Sequence, residues 1–348
     1  MQNLSFSECL LTWWDKHGRQ DLPWQHPRTA YRVWIAEIML QQTQVKTVIP
    51  YYQRFIERFP DLQSVAAAST DDVLALWSGL GYYARARNLH KAAGICCAEH
   101  AAALPRTPEA LAALPGIGQS TANAIFSQAY DQPAVVLDGN VKRVLSRYHA
   151  VAGWPGTSRV HKALWDMAEA LLPTQRGADY TQASMDLGAT LCTRSNPNCE
   201  ACPVNHDCKA YLDDRVGDFP ASRPKIKIVE KSFHMLILKD RHGRVLLERR
   251  PQAGIWGGLW SLPADDNGQP LEQRLGIDSD ELKPLPGLQH QLTHMRMTIL
   301  PLLGDVTRLT KGVECSDEQS WFGHKEWPAL GLPKPVRQLL EQHIKDGT

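Results

Sequence analysis

The chain has 348 residues, a formal net charge of +1 and a hydrophobic fraction of 43%. That length accommodates two domains with cores of their own, and the near-neutral balance excludes a uniformly basic coat while leaving room for a local nucleic-acid-binding patch. No run of about 18 apolar residues occurs, so no membrane-spanning helix is expected. The first eight residues lack a basic start and an apolar stretch, so they do not read as a signal peptide, and a cytoplasmic protein is expected.

Residues 1–212 read as helices joined by short loops. Pro23-Trp24 precedes a helix expected near Tyr31–Gln44. Ser69-Thr70-Asp71-Asp72 forms a capping box with acids in the first turn of the next helix. Gly79 and Gly81 break that helix before Tyr82-Tyr83-Ala84-Arg85-Ala86-Arg87. Thr107-Pro108-Glu109 supplies an N-cap followed by proline at the first helical position. Leu114-Pro115-Gly116-Ile117-Gly118, then Gln119-Ser120-Thr121-Ala122, sets two glycines around one apolar residue directly before a helix. The backbone N–H groups at such a helix start suit a phosphate, and the pattern fits a helix-hairpin-helix that grips a DNA backbone without reading sequence. An ordinary turn between helices accounts for the same residues. About twenty residues on, Val136-Leu137-Asp138-Gly139-Asn140-Val141-Lys142-Arg143 places one carboxylate at a helix start with basic residues behind it. Leu164, Trp165, Ala168, Leu171 and Leu172 recur at helical spacing up to Pro173.

Four of the eight cysteines then crowd into one loop: Cys192, Cys199, Cys202 and Cys208, spaced C-x6-C-x2-C-x5-C. Zinc ribbons usually pair two C-x2-C knuckles, whereas here there is one. An iron-sulfur cubane suits the wider outer spacing, because each thiolate caps a different iron. Zinc and disulfides remain alternatives on spacing alone. The other four cysteines, Cys9, Cys96, Cys97 and Cys315, are expected to be free and reduced.

Beyond Cys208 the character changes. Residues 213–230 are polar, broken by prolines, and read as a linker. Met235-Leu236-Ile237-Leu238, a turn at 240–243 and Val245-Leu246-Leu247 read as a β-hairpin; Thr298-Ile299-Leu300 is a further strand, and 335–344 a last helix. The expected organisation is a helical domain over 1–212 with its cysteine loop at 192–208, a linker over 213–230, and an α+β domain over 231–348.

In this order, the hairpin, the aspartate downstream of it and the four-cysteine loop resemble the helix-hairpin-helix DNA glycosylases of the endonuclease III superfamily. Within it, the stretches Trp34–Gln44 and Gly79–Arg87 are similar to those of the adenine-removing branch. The resemblance implies an all-α glycosylase domain, a 4Fe-4S cluster on Cys192, Cys199, Cys202 and Cys208, and a monomer acting on double-stranded DNA. The implied reaction is hydrolysis of the N-glycosidic bond of adenine mispaired with 8-oxoguanine or guanine, which prevents G·C to T·A transversions by base excision repair.

Bifunctional relatives carry a lysine after the hairpin, whose amine attacks the sugar. Ser120 stands there in this chain and cannot form an imine, so base removal without lysine-dependent strand cleavage is expected. By resemblance Glu37 protonates the adenine ring at N7, which requires a raised pKa, most simply from burial. Gln41 and Gln44 give it an uncharged polar flank. From helix pattern alone Glu37 reads as a solvated acid. Asp138 is implied to remain ionised and stabilise the oxocarbenium-like sugar, and Asn140 to hold the water or the sugar. The target nucleotide must leave the stack. Gln42 and Tyr82 resemble the residues that wedge into the gap, while Gln41, Gly116, Gly118 and Ser120 join the DNA-contacting set. Arg85, Arg87, Lys142, Arg143 and Arg147 read as phosphate ligands or as solvated helix faces, and Arg194 as a basic contact beside the cysteine loop.

The second domain resembles a MutT-like (Nudix) fold through Arg249-Arg250-Pro251 and 254–260. It lacks the R-E-x-x-E-E run that holds magnesium in Nudix hydrolases, so no pyrophosphatase activity is expected. The family reads 8-oxoguanine with a Phe-Ser-His loop. The matching positions here are Leu292-Thr293-His294, of which His294 is retained and the aromatic ring is lost. The other readings are an endonuclease III-like glycosylase/lyase acting on oxidised pyrimidines, a non-catalytic redox-sensing DNA-binding protein, and a Nudix hydrolase.

Overall fold

The computed structural model describes residues 4–224, 228–266, 268, 270–277, 281–292, 294–305 and 318–344. Cys315 and Thr293 lie outside the described residues.

The helices of the N-terminal half are α1 (Phe6–His17), α2 (Ala30–Leu40), α3 (Val45–Arg58), α4 (Leu62–Ala67), α5 (Thr70–Trp77), α6 (Ala84–Glu99), α7 (Pro108–Ala112), α8 (Gln119–Tyr130), α9 (Gly139–Tyr148), α10 (Ser158–Ala170) and α11 (Gly177–Asp186). The expected N-terminal signals operate as read. Ser69 and Asp72 complete the capping box of α5, and the Thr107 hydroxyl caps α7 with Pro108 in its first turn. One boundary needs correcting. The helix expected to reach Gln44 stops at Leu40, because Gln42 adopts φ +60°, a left-handed conformation that a helix cannot carry, and α3 starts afresh at Val45.

Helix α2 is the centre of the helical fold. Val33, Trp34, Ile35, Ala36, Ile38 and Met39 are all buried, so from Val33 to Leu40 it is apolar all round except at Glu37. It packs against α8 and α3. A second core joins Leu10 and Trp14 of α1 to Val144 of α9, Ala183 of α11 and Leu187, with Cys192 and Cys202 against its edge. A third joins Leu137, Val141 and Leu145 to Val160 and Leu164 of α10.

Among the described residues of the C-terminal half, seven strands form a mixed sheet: β1 (Val229–Lys239), β2 (Val245–Arg249), β3 (Trp260–Ser261), β4 (Lys283–Pro284), β5 (Leu288–Gln291), β6 (Met295–Asp305) and β7 (Gln319–Phe322). Its order is β3-β2-β1-β6-β4, with β5 on β6 and β7 on β2. β1 and β6 run parallel, Val229 opposite Met295 through Lys239 opposite Asp305. Residues alternate across β1 with period two. Phe233, Met235 and Ile237 face the helix Lys334–His343 through Val336, Leu339 and Leu340; Leu236 and Leu238 meet Leu271, Leu275 and Ile277 on the other face. Both faces are covered, which is why the run Met235–Leu238 is continuously apolar.

The compact units depart from the division read in the sequence. One comprises Met1–Ala67 and Asn88–Pro224; the other comprises Ala68–Arg87 and Lys225–Thr348. Residues 213–224 therefore stay with the helical unit rather than forming a free linker, tied by the Arg147 Nε hydrogen bond to the Phe219 carbonyl at 2.9 Å. Residues 68–87 belong with the sheet.

Candidate active site

Glu37 sits on α2 facing α8, where Gln128 Nε2 donates to its Oε1 at 2.7 Å. Glu37 is half-buried as a residue, and its carboxyl lies deep among protein atoms. Burial pushes its pKa up to about 7; the Gln128 hydrogen bond opposes the rise and the negative charge of Asp138 adds to it. The two carboxyls therefore feel each other's charge, although Asp138 lies 101 positions further along the chain.

Asp138 is the N-cap of α9. Its Oδ1 accepts from the Val141 N–H at 2.7 Å and its Oδ2 from Asn140 Nδ2 at 3.2 Å. Burial raises its pKa on balance, and these donors and the nearby Arg143 charge limit the rise by stabilising the carboxylate. A carboxyl held by several donors at a helix N-terminus favours its charged form far more than one held by a single amide. The two groups are thus distinguished by their environments.

Asn140 is itself fixed. Arg143 Nη2 donates to its Oδ1 at 2.9 Å and to the Gly188 carbonyl at 2.7 Å, while Arg143 Nε donates to the Cys192 carbonyl at 2.7 Å. A Cβ on Gly188 would stand 2.6 Å from the Asn140 Cβ, so only glycine permits this approach. Gly188 lies in a π-helical turn, Leu187–Leu191, that leads into the cysteine loop. A continuous path of hydrogen bonds thereby runs from Cys192 through Arg143 and Asn140 to Asp138.

The hairpin has the expected form. Gly116 takes φ +80°, and a Cβ there would meet the Asn88 Cβ at 2.8 Å. No side chain caps the start of α8, whose N-cap is Gly118, and the space beside Gly118 is open. Gln41 reaches back to this hairpin, its Nε2 3.4 Å from the Gly116 carbonyl. The Ser120 hydroxyl accepts from the Leu137 N–H at 3.0 Å, fixing the residue that precedes Asp138. Gln42 and Tyr82, the two wedge candidates, both lie at positive φ, +60° and +52°. Side chains avoid that region unless the surroundings impose it, and such strain gathers at functional positions. Tyr82 is 47% exposed.

Four of the arginines read as phosphate ligands are committed internally. Arg147 donates to the carbonyls of Phe219, Thr193 and Arg194, and its Nη1 lies 3.3 Å from Cys192 Sγ. Arg143 serves Cys192, Gly188 and Asn140; Arg85 bonds to the carbonyls of Leu80 and Gly81; Arg87 bonds to those of Gly257 and Gln252. Orphan carbonyls drew them inward, which residue type alone does not announce. Arg194 is exposed.

Cys192, Cys199, Cys202 and Cys208 carry no disulfide and ring one recess, closed by Val144, Tyr148, Leu187, Leu191, Val204 and Val216. Among the described residues no group of three or more His, Cys, Asp or Glu converges tightly enough for a single metal ion. Four thiols set around a wider, apolar-walled space fit a polynuclear cluster better than one zinc.

In the sheet unit, His294 is exposed at the turn between β5 and β6, and Leu292 packs against the core beneath it. The acids around the Nudix-like motif are paired. Glu248 meets Arg274 at 2.6 Å, and Asp266 meets Arg250 at 2.5 Å.

Comparison with known proteins bears directly on this arrangement. Residues 35–170 match the HhH-GPD superfamily of base excision DNA repair proteins, residues 192–208 the iron-sulfur binding domain of endonuclease III, and residues 234–342 the NUDIX domain. An adenine DNA glycosylase of Buchnera aphidicola (subspecies Schizaphis graminum) is 37% identical over 97% of this chain and 98% of its own length. The chain belongs to the adenine DNA glycosylase family. The mouse member is 45% identical over 75% of this chain and 60% of its own length. Among solved structures, a thermostable thymine-DNA glycosylase aligns with a TM-score of 0.55 at 29% identity, covering 60% of this chain and 95% of that one.

The four cysteines hold a 4Fe-4S cluster, in the stretch that matches the iron-sulfur binding domain of endonuclease III. Two positions that hold this arrangement together carry no signal in the sequence. Gln128 was unmarked because a glutamine in an amphipathic helix has no distinguishing pattern. Asp186, fully buried, accepts from Trp14 Nε1, Gln182 Nε2 and the Arg19 backbone and guanidinium. It clamps α11 to the loop after α1, and the distance in sequence between its partners hid it.

Proposed function

We propose that the chain is a monofunctional glycosylase that excises adenine opposite 8-oxoguanine, and more slowly opposite guanine. The observation that carries the reading is the pair of unlike carboxyls: Glu37, held by one amide and titrating near neutrality, and Asp138, held by donors at a helix N-terminus. With adenine flipped out of the duplex, Glu37 gives its proton to N7. The bond from C1′ to N9 breaks, and its electron pair leaves with the base. Asp138 faces the resulting cationic sugar and stabilises it, Asn140 orients the group next to it, and water adds at C1′, its released proton returning to the Glu37 carboxylate. No lysine follows the hairpin, so the imine that the bifunctional relatives form there is not made and lysine-dependent strand cleavage is absent; an imine between Lys142 and the product would be side chemistry. The 4Fe-4S cluster cross-links the loop whose carbonyl anchors Arg143, and the hydrolysis needs no electrons from it.

Gln42 and Tyr82 would fill the vacated space, the uncapped start of α8 would hold a phosphate, and His294 would contact the lesion. Leu292 acts as an apolar anchor for that turn instead of an aromatic contact. The protein is read as a cytoplasmic, nucleoid-associated monomer. Among the described residues no helix is long and apolar enough to cross a membrane.

Single-turnover cleavage of duplexes bearing A·8-oxoguanine, A·G or an oxidised pyrimidine, with and without alkali, tests this. Scission of the two adenine duplexes that requires alkali, fastest opposite 8-oxoguanine, is expected. Cleavage of the oxidised-pyrimidine duplex alone would assign the chain to the lyase branch instead.

A further inference from the structure

Residues 68–87 lie between helices of the glycosylase fold in sequence, yet pack as part of the sheet unit. The packing is specific. The Arg249 guanidinium makes two hydrogen bonds to the Asp71 carboxylate, at 2.8 and 2.5 Å, while lying over the Trp260 ring at 4.6 Å. Leu74 packs so closely on Gly331 that a Cβ there would come within 2.9 Å of the Leu74 Cβ. Ser78 Oγ and the Tyr83 hydroxyl both donate to the Leu332 carbonyl, at 3.4 and 3.3 Å. Arg87 donates to the Gly257 carbonyl in the Nudix-like loop.

These contacts bracket Gly79–Tyr82 from both ends. The Tyr83 hydroxyl accepts from the Gly79 N–H at 3.2 Å while donating to Leu332, so one oxygen spans the base of the loop and ties it to the sheet. Trp77 Nε1 and Arg85 Nη2 both donate to the Gly81 carbonyl, at 3.2 and 2.9 Å, which closes the loop from within. At its apex Tyr82 is exposed on a left-handed backbone. A non-glycine residue keeps that conformation only where neighbouring bonds over-determine it.

We infer that the Nudix-like domain is a clasp for the wedge: it holds Tyr82 in its inserting conformation through Tyr83, Asp71 and Arg249, which act as positioning residues. The domain would then contribute to base extrusion as well as to lesion contact, including on a duplex with no lesion. This rests on the wedge role of Tyr82 proposed above.

The test is a double-mutant cycle in the full chain on an A·G duplex, where no 8-oxoguanine is present to be read. Single-turnover excision is measured together with the fluorescence rise of 2-aminopurine placed as the target base, which reports unstacking. Tyr83→Phe removes one oxygen and Asp71→Asn one charge, and the capping box of α5 is completed by Asp72. Each is expected to lower both readouts by about three- to tenfold, the size of one lost hydrogen bond. Each is expected to change nothing further in a Tyr82→Ala background. An equal fall in both backgrounds, or no fall in either, overturns the clasp. Tyr82→Ala excising at the wild-type rate overturns the wedge reading itself, visible from that single variant, and the clasp falls with it.

Discussion

Glu37 in the helical unit and Glu248 in the sheet unit are both glutamates set into the body of a fold, and they differ in what faces them. Glu37 meets a neutral amide at 2.7 Å; Glu248 meets a guanidinium at 2.6 and 3.3 Å. An amide satisfies a carboxyl without neutralising it, so burial moves its titration to where chemistry at neutral pH can use it. An ion pair occupies the lone pairs that a magnesium ion would need. Asp266 with Arg250 and Asp71 with Arg249 repeat that pattern. The helical unit also holds a tie of this kind, Asp186 with Arg19, but it leaves the Glu37 carboxyl without a cationic partner, whereas these three acids of the sheet unit are ties that hold shape.

The comparison breaks most sharply at Glu37. Glu37→Gln keeps size and hydrogen-bonding capacity but removes the proton donor, and single-turnover excision should fall by about 10²–10⁴. The same substitution should stabilise the protein at alkaline pH. The folded pKa of Glu37 lies above its unfolded value, so the native state binds more protons between about pH 4.5 and 7, and stability falls as pH rises through that window. Above it the wild type carries a penalty of about 3 kcal/mol that the glutamine lacks. Urea denaturation at pH 8.5 and pH 4 should show the variant's advantage at the higher pH only.

Next in size is Arg274→Ala. It strips the partner from Glu248, which is 7% exposed, and breaking a buried pair in this way costs about 3 kcal/mol. Denaturation should register the loss in the sheet unit, and neither this variant nor the wild type should turn over 8-oxo-dGTP with magnesium. Turnover by the wild type would mean that the paired acids still recruit the metal.

Arg143→Ala sharpens the comparison from the other side, since this arginine serves a site rather than a clamp. It leaves Asn140, Gly188 and Cys192 without their shared donor. Excision should fall about 10–100-fold and the cluster's visible absorbance should bleach faster, the pattern expected when an outer support is removed. Loss of the absorbance without loss of rate would separate the loop from the site.

The parts of the fold written in local chemistry were legible. Capping boxes, the proline after Thr107, the two-glycine hairpin and the apolar run of β1 each follow from a short stretch with its own physics. Glu37 and Asp138 stand out in the sequence only through resemblance, because burial is a tertiary property and Glu37 alone looks like a surface acid. The helix ends early at Leu40 because Gln42 takes a left-handed backbone, which its residue type does not announce. Arg143 and Arg147 looked like a phosphate-binding face until orphan carbonyls around the cysteine loop claimed them. The placement of residues 68–87 with the sheet depends on partners more than 170 positions away, such as Arg249 for Asp71, and no window of sequence contains both.

The most direct test of the central claim is the pH dependence of single-turnover adenine excision between pH 5.5 and 9, in the wild type and in Glu37→Gln. An acid that must carry its proton makes the wild-type rate fall as pH rises through about 7, and the residual rate of Glu37→Gln should lack that limb. A wild-type profile flat across neutrality, or the same limb persisting in the glutamine variant, would contradict the assignment of Glu37 as the proton donor.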